Sequence, residues 1–286
     1  MSALGSLYDR VGSHTRTFDC CDTTFEVHAA GVRAAGGVDA AVAVARDLEG
    51  QLNAFDPTSD VAALARTGAV TNPHVARLVT RGLDYETRTD GVFSIRYGTT
   101  ERSVKGYLRE GGELPIHDDR AARVDVDGDT VTASRPLDLN GIAKGYLVDR
   151  AYDALQGPGR HGYVNGGGDI AGPTGGGVAV ESPWGGAPLR VLATDWNVAT
   201  SGAYKRRRGA VDHIYRPLDG QLGARNVLVT VVAQRDCTEA DVLATTCAAL
   251  HPDDAIALVD DWSGAEALVV HDGVFHETGG FDAHVA

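Results

Sequence analysis

The sequence predicts an α+β fold. Short strand patterns are interspersed with isolated helices without regular βαβ alternation, strand and turn signals crowd the Gly-rich second half, and 286 residues can bury one large core. Residues 1–20 carry a mixed pattern and are expected to be poorly ordered. TFEVHA (24–29) then alternates apolar and polar side chains as a strand does. Over 38–52 apolar residues recur at helical spacing, with Leu48 and Leu52 one turn apart and Pro57 beyond them as a stop. Ser59 and Asp60 can cap a short helix over 61–65, and Pro73 can open another that runs to about residue 87. Residues 91–97 read as a strand. RVDVDGDTVTA (123–133) alternates on both sides of Asp127-Gly128, the strongest short-range hairpin signal. A helix over 142–155 is entered through Gly141. Further strands are expected at 163–170, 177–181, 189–194, 197–201 and 226–233, helices starting at Thr238 and Pro252, and a last hairpin over 265–275 turned at Asp272-Gly273. No internal repeat or low-complexity linker divides the chain, so residues 1–286 are expected to form a single domain.

Composition narrows the function classes. Lys plus Arg of 26 against Asp plus Glu of 39 gives a formal charge of −13, which argues against a nucleic-acid or anionic-membrane partner. Only KRRR (205–208) resembles a basic patch, and a solvated loop explains it as well. Lysine occurs only at positions 105, 144 and 205. Arginine-rich, aspartate-rich usage fits adaptation to high salt or a GC-rich genome, and it makes Lys144 more noticeable. Cys20, Cys21, Cys237 and Cys247 show no CxxC spacing and no zinc-type His pairing, so reduced thiols are expected. The start, MSALGSLYDRVGSH, lacks the basic and apolar regions of an export signal, and no long apolar run suggests a membrane span. A cytoplasmic protein is the expectation.

Two segments carry the chemistry. In TEADVLATT (238–246), Asp241 and Thr245 are one helical turn apart and share a face, so a carboxylate and a hydroxyl point to one spot, the hard oxygen donors that Mg²⁺ prefers. The alternative is structural: Thr238 as N-cap with Asp241 completing a capping box. In DLNGIAKGYLVD (138–149), Asp138 and Asn140 precede Gly141, and Lys144 follows within the first turn. Exposed amides and an ammonium at a helix start attract phosphate, although an ordinary strand-to-helix turn would look the same. NGGGD (165–169) allows close backbone approach but is not a dinucleotide fingerprint, because no helix pattern follows it. ATSGAY (199–204) and DHIYRPLDG (212–220) suggest a hairpin with the basic run at its tip. His213 at its base is either structural or a proton-transfer group.

Taken in order, DLNGIAKGYLVD, YVNGGGDIAG, NVATSGAY, HIYRPLDG and VLVTVVAQRDCTEADVLATT resemble successive signatures of the ApbE-type FAD:protein FMN transferase family. TTFEV, LNAFDPTSDVAALAR and GVFS in the first half resemble it more loosely. The resemblance implies an α+β fold with mixed and mainly antiparallel sheets around a FAD cleft. It also implies Mg²⁺ bridging the pyrophosphate, and transfer of FMN from FAD to a threonine hydroxyl of an acceptor redox protein with release of AMP. Carried over by position, Asp138, Lys144, Ile214 and Val92, Phe93 and Ser94 would contact FAD. Asp241 and Thr245 would bind the metal by side chain, Gly141 would do so through its backbone oxygen, and His213 would be the base. Some relatives hydrolyse FAD instead, and a flavin-binding protein without turnover is a third possibility. Departures from the family pattern are Ser94 and Arg96 in place of an aspartate and a threonine, and Arg216-Pro217 in place of Asp-Pro. The stretch 98–119 also looks short for a cleft wall.

Overall fold

Alternation of apolar and polar residues builds an 8-stranded sheet in which each strand lies beside its predecessor in chain order, every pairing antiparallel. The strands are β1 Ser13–Cys20, β2 Thr23–Gly31, β3 Arg160–Gly166, β4 Ile170–Ala171, β5 Asn197–Gly202, β6 Leu228–Ala233, β7 Ala265–His271 and β8 Val274–Glu277. All other elements except the C-terminal 3₁₀ turn are insertions between these strands. The computed structural model describes residues 12–113, 120–202, 207–209 and 211–286. Among them no helix is long and apolar enough to cross a membrane.

Two packing layers cover the sheet, and β6 shows why. All six of its residues are buried. Val229, Val231 and Ala233 face the larger core, whereas Leu228 and Val232 face a second one, as the period of two requires. Helices α1 Ala34–Leu52, α5 Asn140–Leu155 and α6 Cys237–Ala249 pack on the first face. The hairpin of Val178–Val180 with Arg190–Leu192 and the 3₁₀ turn Phe281–His284 close the second, through Val180, Leu192 and Phe281. Along α1 the buried residues Val38, Ala41, Val42, Ala45, Leu48 and Leu52 recur every three or four positions. Between β2 and β3 the chain also forms α2 Asp60–Thr67, capped by Ser59, and α3 Pro73–Arg88, capped by Asn72 with Pro73 in its first turn. It then forms α4 Gly98–Glu110 and a 3-stranded sheet of Ala69–Thr71, Thr130–Ala133 and Val124–Asp127. Helix α7 Pro252–Asp260 precedes β7.

Several expectations need correction. Residues 13–20 form β1, held by a full ladder to β2 and by burial of Phe18 and Cys20; its polar outer positions hid the strand. Residues 1–11 lie outside the described chain. Residues 91–97 form turns, not a strand: Asp90 and Gly91 take positive φ of 50° and 79°, and the Ile95 and Arg96 carbonyls accept from Asp138 and Ala122. The expected strand at 163–170 is broken into β3 and β4 by Gly167 and Gly168, whose φ of 70° and 108° reverse the chain within NGGGD. The 123–133 hairpin turns at Gly128 and Asp129, one position later than Asp127-Gly128. Of the expected 199–220 hairpin, Arg207–Arg208 pairs with Val211–Asp212 and Tyr215–Arg216 with Gln221–Leu222, while Lys205 and Arg206 lie outside the described residues.

The contact of α5 with α6 is unusually close. A Cβ on Gly145 would come within 2.7 Å of the Cys237 carbonyl oxygen and 2.9 Å of the Asp241 Cβ. Asp149 of α5 reaches across to the start of α6. It accepts from the amides of Cys237 (2.8 Å) and Thr238 (2.9 Å) and from the Thr238 hydroxyl, so it serves a neighbouring helix as an N-terminal carboxylate. Burial, with Asp236 adding to it, pushes the Asp149 carboxyl up to about 6. Asp149→Ala should therefore lower stability by about 1–3 kcal/mol by stranding buried donors. Asp149→Asn, which keeps an acceptor oxygen, should lower it less. Urea unfolding midpoints for the two variants check the order.

Candidate functional site

The tips of the meander and the starts of α5 and α6 enclose a cleft of about 630 Å³, within the usual range of roughly 300–1,000 Å³ for ligand sites. Every residue singled out from the sequence lines it: Val92, Phe93, Ser94, Asp138, Gly141, Lys144, His213, Ile214, Asp241 and Thr245. The chain brings them together from four separate segments. Residues 92–97 form one wall, the first turn of α5 the floor, the 213–217 loop the opposite wall, and α6 the back.

Two carboxylates and one ammonium are sunk into the floor. Asp241 is 4% exposed and Asp169 fully buried. Lys144 Nζ lies 2.5 Å from Asp169 Oδ2, and Asp241 Oδ2 accepts from the Gly145 amide at 2.9 Å. Burial first, then the charge of Asp169, pushes the Asp241 carboxyl up to about 8, against the opposing pull of Lys144. Burial alone would lower the Lys144 pKa, but Asp169 and then Asp241 outweigh it and the net direction is up. The group thus carries one more acidic side chain than basic ones, with both carboxylates largely withdrawn from solvent. Such a surplus is costly unless a proton or a cation offsets it.

Asp241 is not a cap of its own helix. Helix α6 starts at Cys237, not Thr238, and its N-cap is Asp236, whose Oδ1 accepts from the Glu239 amide at 2.8 Å. Thr238 is occupied by Asp149. The structural role expected for the Thr238–Asp241 pair is therefore taken by Asp236 and Asp149, and the Asp241 carboxylate is left to the cleft. Facing it, Gly141 packs so tightly that a Cβ would meet Phe93 Cε2 and Thr245 Cγ2, each at 3.1 Å, with Thr245 Oγ1 at 3.6 Å. The Gly145 amide donates to Asp241. Asp241, Thr245 and the Gly141 backbone form an all-oxygen donor set of the kind that suits Mg²⁺.

The opposite wall is held from below. Asp212, 7% exposed, accepts from the amides of Ile214 and Ala224, each at 2.8 Å, and so fixes the turn that carries His213 and Ile214. Tyr215 leans on Tyr97 at a ring separation of 5.3 Å, joining the two walls. The cations at unusual positions are paired within the protein. Arg96 Nε sits 2.9 Å from Glu86 Oε2 and Arg96 Nη1 donates to the Ala122 carbonyl, while Ser94 Oγ donates to Glu86. Arg216 pairs with Asp219 and donates to the Gly223 carbonyl.

Sequence reasoning missed Asp169, Asp212, Glu101 and Lys105. The wall expected to be short is supplied by α4, from which Glu101 and Lys105 enter the cleft at i and i+4, 2.9 Å apart. Burial, with Asp138 adding to it, pushes the Glu101 carboxyl up to about 7 despite Lys105. The scarcity of lysine was the available signal for Lys105. Asp169 stood in view within NGGGD, but nothing local assigns its partner 25 positions earlier.

The model of the ApbE family matches residues 21–269. No curated protein matches the sequence. Among solved structures, the ApbE protein of Thermotoga maritima is similar with a TM-score of 0.84 at 22% identity, over 96% of this chain and 100% of that one. A flavin transferase ApbE from Vibrio cholerae gives 0.77 at 19% identity, over 96% and 99%. The flavinyl transferase ApbE of Pseudomonas stutzeri, apo form, gives 0.79 at 23% identity, over 96% and 98%. At these identities the likeness is one of fold, and it agrees with the mixed α/β, mainly antiparallel architecture.

The raised Asp241 carboxyl makes a prediction for the metal-free protein. Its folded state keeps a proton that the unfolded chain has released above about pH 4, so stability is fullest below that and falls as pH rises toward about 8. Thermal melts from pH 5 to 8 should fall more steeply for the wild type than for Asp241→Asn, and excess Mg²⁺ should remove the difference. Parallel curves would mean that the carboxyl titrates normally.

Proposed function

Because the chain belongs to the ApbE family, we propose that it transfers FMN from FAD to a threonine hydroxyl of an acceptor redox protein, releasing AMP. The observation that carries this is the convergence of Asp241, Thr245, Gly141 and Lys144 in one cleft, with Asp169 buried behind the Lys144 ammonium. An acidic floor with all-oxygen donors suits a divalent cation, and the first turn of α5 with its ammonium suits a diphosphate. Asp241 and Thr245 would hold Mg²⁺ through their side chains and Gly141 through its carbonyl oxygen. When bound, the ion would neutralise the diphosphate and stabilise charge developing on the AMP leaving group.

The protein's own groups do the rest. Lys144, oriented by Asp169, meets phosphate oxygens, and Asp138 contacts the nucleotide from the start of α5. Val92, Phe93, Ser94 and Ile214 enclose it from the two walls, which positions the reacting phosphorus and keeps bulk water out. His213 takes the proton of the threonine hydroxyl as its oxygen bonds to the FMN phosphorus and the bond to AMP breaks. Arg96 and Arg216 are spent on Glu86 and Asp219, so they leave the net charge of the cleft floor as the acidic pair sets it. The acceptor is another protein, reached in the cytoplasm, and neither nucleic acid nor membrane insertion enters the reaction.

Incubation with FAD, Mg²⁺ and a threonine-bearing acceptor domain should release AMP and leave FMN on the acceptor, with no AMP when the acceptor is omitted. Equal AMP without acceptor would make the enzyme a FAD pyrophosphatase, and bound FAD without AMP would remove the catalytic role. Asp241→Ala should lower the rate more than about a hundredfold, the equivalent of several kcal/mol of lost charge stabilisation. For His213→Gly the measurement is the pH–rate profile, which should lose the fall at low pH that protonation of the imidazole causes. An unaltered profile would assign the proton to another group.

A further inference from the structure

The hairpin between β1 and β2 gathers soft ligands. Cys20 ends β1 and Cys21 begins the turn, with their Sγ atoms 3.8 Å apart. Glu49, projecting from α1, accepts from the Cys21 amide at 2.6 Å. Both sulfurs and a carboxylate oxygen of Glu49 lie within 4.8 Å of one another. We propose that Cys20, Cys21 and Glu49 form a site for a thiophilic divalent cation of the Zn²⁺ type, separate from the cleft floor.

Three observations carry it. A tetrahedral ion with Zn–S bonds of about 2.3 Å sets its two sulfurs about 3.8 Å apart, and the thiols already stand at that separation. The carboxylate is held by a backbone amide, the kind of supporting bond that orients a metal ligand. The turn is also built against local preference. Cys21 and Asp22 both adopt left-handed backbone, φ 54° and 56°, where a two-residue hairpin turn favours Asn and Gly. That strained position is occupied by a cysteine whose sulfur reaches its neighbour. Cys21, burial and Glu49 all push the Cys20 thiol up. A cation would reverse this by taking two thiolates and a carboxylate, with the two thiol protons passing to solvent. Cys20 is 2% exposed and Cys21 and Glu49 half-buried, so the open fourth position falls to water.

The site would steady the cleft. Asp22 of the turn and Thr23 and Thr24 of β2 line it, and Thr23 packs on Gly167, where a Cβ would meet Thr23 Oγ1 at 2.2 Å. An ion at Cys20–Cys21 would therefore fix the hairpin tip against the NGGGD turn.

Cobalt titration of the reduced full-length protein tests this. One Co²⁺ per chain should bind with thiolate-to-cobalt charge-transfer absorption in the near ultraviolet and tetrahedral bands in the visible, and Zn²⁺ should erase both. Cys20→Ser and Cys21→Ser should each abolish the charge-transfer band, and Glu49→Gln should weaken affinity by at least about tenfold. Asp241→Asn should leave the band intact, which separates this site from the proposed Mg²⁺ site. Cys21 is half-buried, so Cys21→Ser should show the wild-type circular dichroism spectrum even where Cys20→Ser perturbs the core. Absence of the band in the wild type, or its survival in Cys21→Ser, overturns the proposal.

Discussion

Two helices meet where only a glycine fits, and most of the cleft chemistry depends on that closeness. With Gly145 against Cys237 and Asp241, the start of α6 is near enough for Asp149 to take its first amides and for Asp241 to reach the Gly145 amide. A larger residue at position 145 would force the helices apart, and overpacking of this kind costs about 1–3 kcal/mol even where the fold survives. The same separation would take Asp241 and Thr245 together away from Gly141, so packing and the proposed metal geometry share one cause.

Around that contact the sheet acts as a frame. Because its strands follow chain order, the connections between them are free to carry function-bearing segments while the ladder stays regular. Long insertions supply α4 with Glu101 and Lys105, and a tight glycine turn supplies Asp169. A small hairpin region held by Asp212 supplies His213 and Ile214. Burial then turns ordinary side chains into a charged pocket. Asp241 and Asp169 sit within reach of one ammonium, an imbalance that a proton or a cation must offset.

Legibility from the sequence followed the range of the interactions. Helices α1, α3, α5 and α7 and the hairpin at Asp272-Gly273 were readable because periodicity, Pro73, Pro252 and the turn residues act locally. β1 was not, because Phe18 and Cys20 are buried only by partners far along the chain, and α4 was not, because its buried side includes Glu101 and Thr100. The 91–97 strand failed where backbone bonds to Asp138 and Ala122 replaced a ladder. Motif order pointed to the residues that line one cleft, but the partners of those residues were hidden. Asp236, three residues before Glu239, stood in view as the cap that relieves Asp241, but nothing near Lys144 says that Asp169 meets it.

In the proposed function Asp241 and Thr245 grip a divalent ion against the diphosphate of a flavin dinucleotide. Crystals grown with FAD and Mn²⁺ and measured near the manganese edge give the most direct test. An anomalous peak within bonding distance of the Asp241 carboxylate and Thr245 Oγ1, touching the diphosphate, is the result predicted. FAD bound in the cleft with Asp241 still turned to the Gly145 amide and no anomalous density beside it would contradict the account.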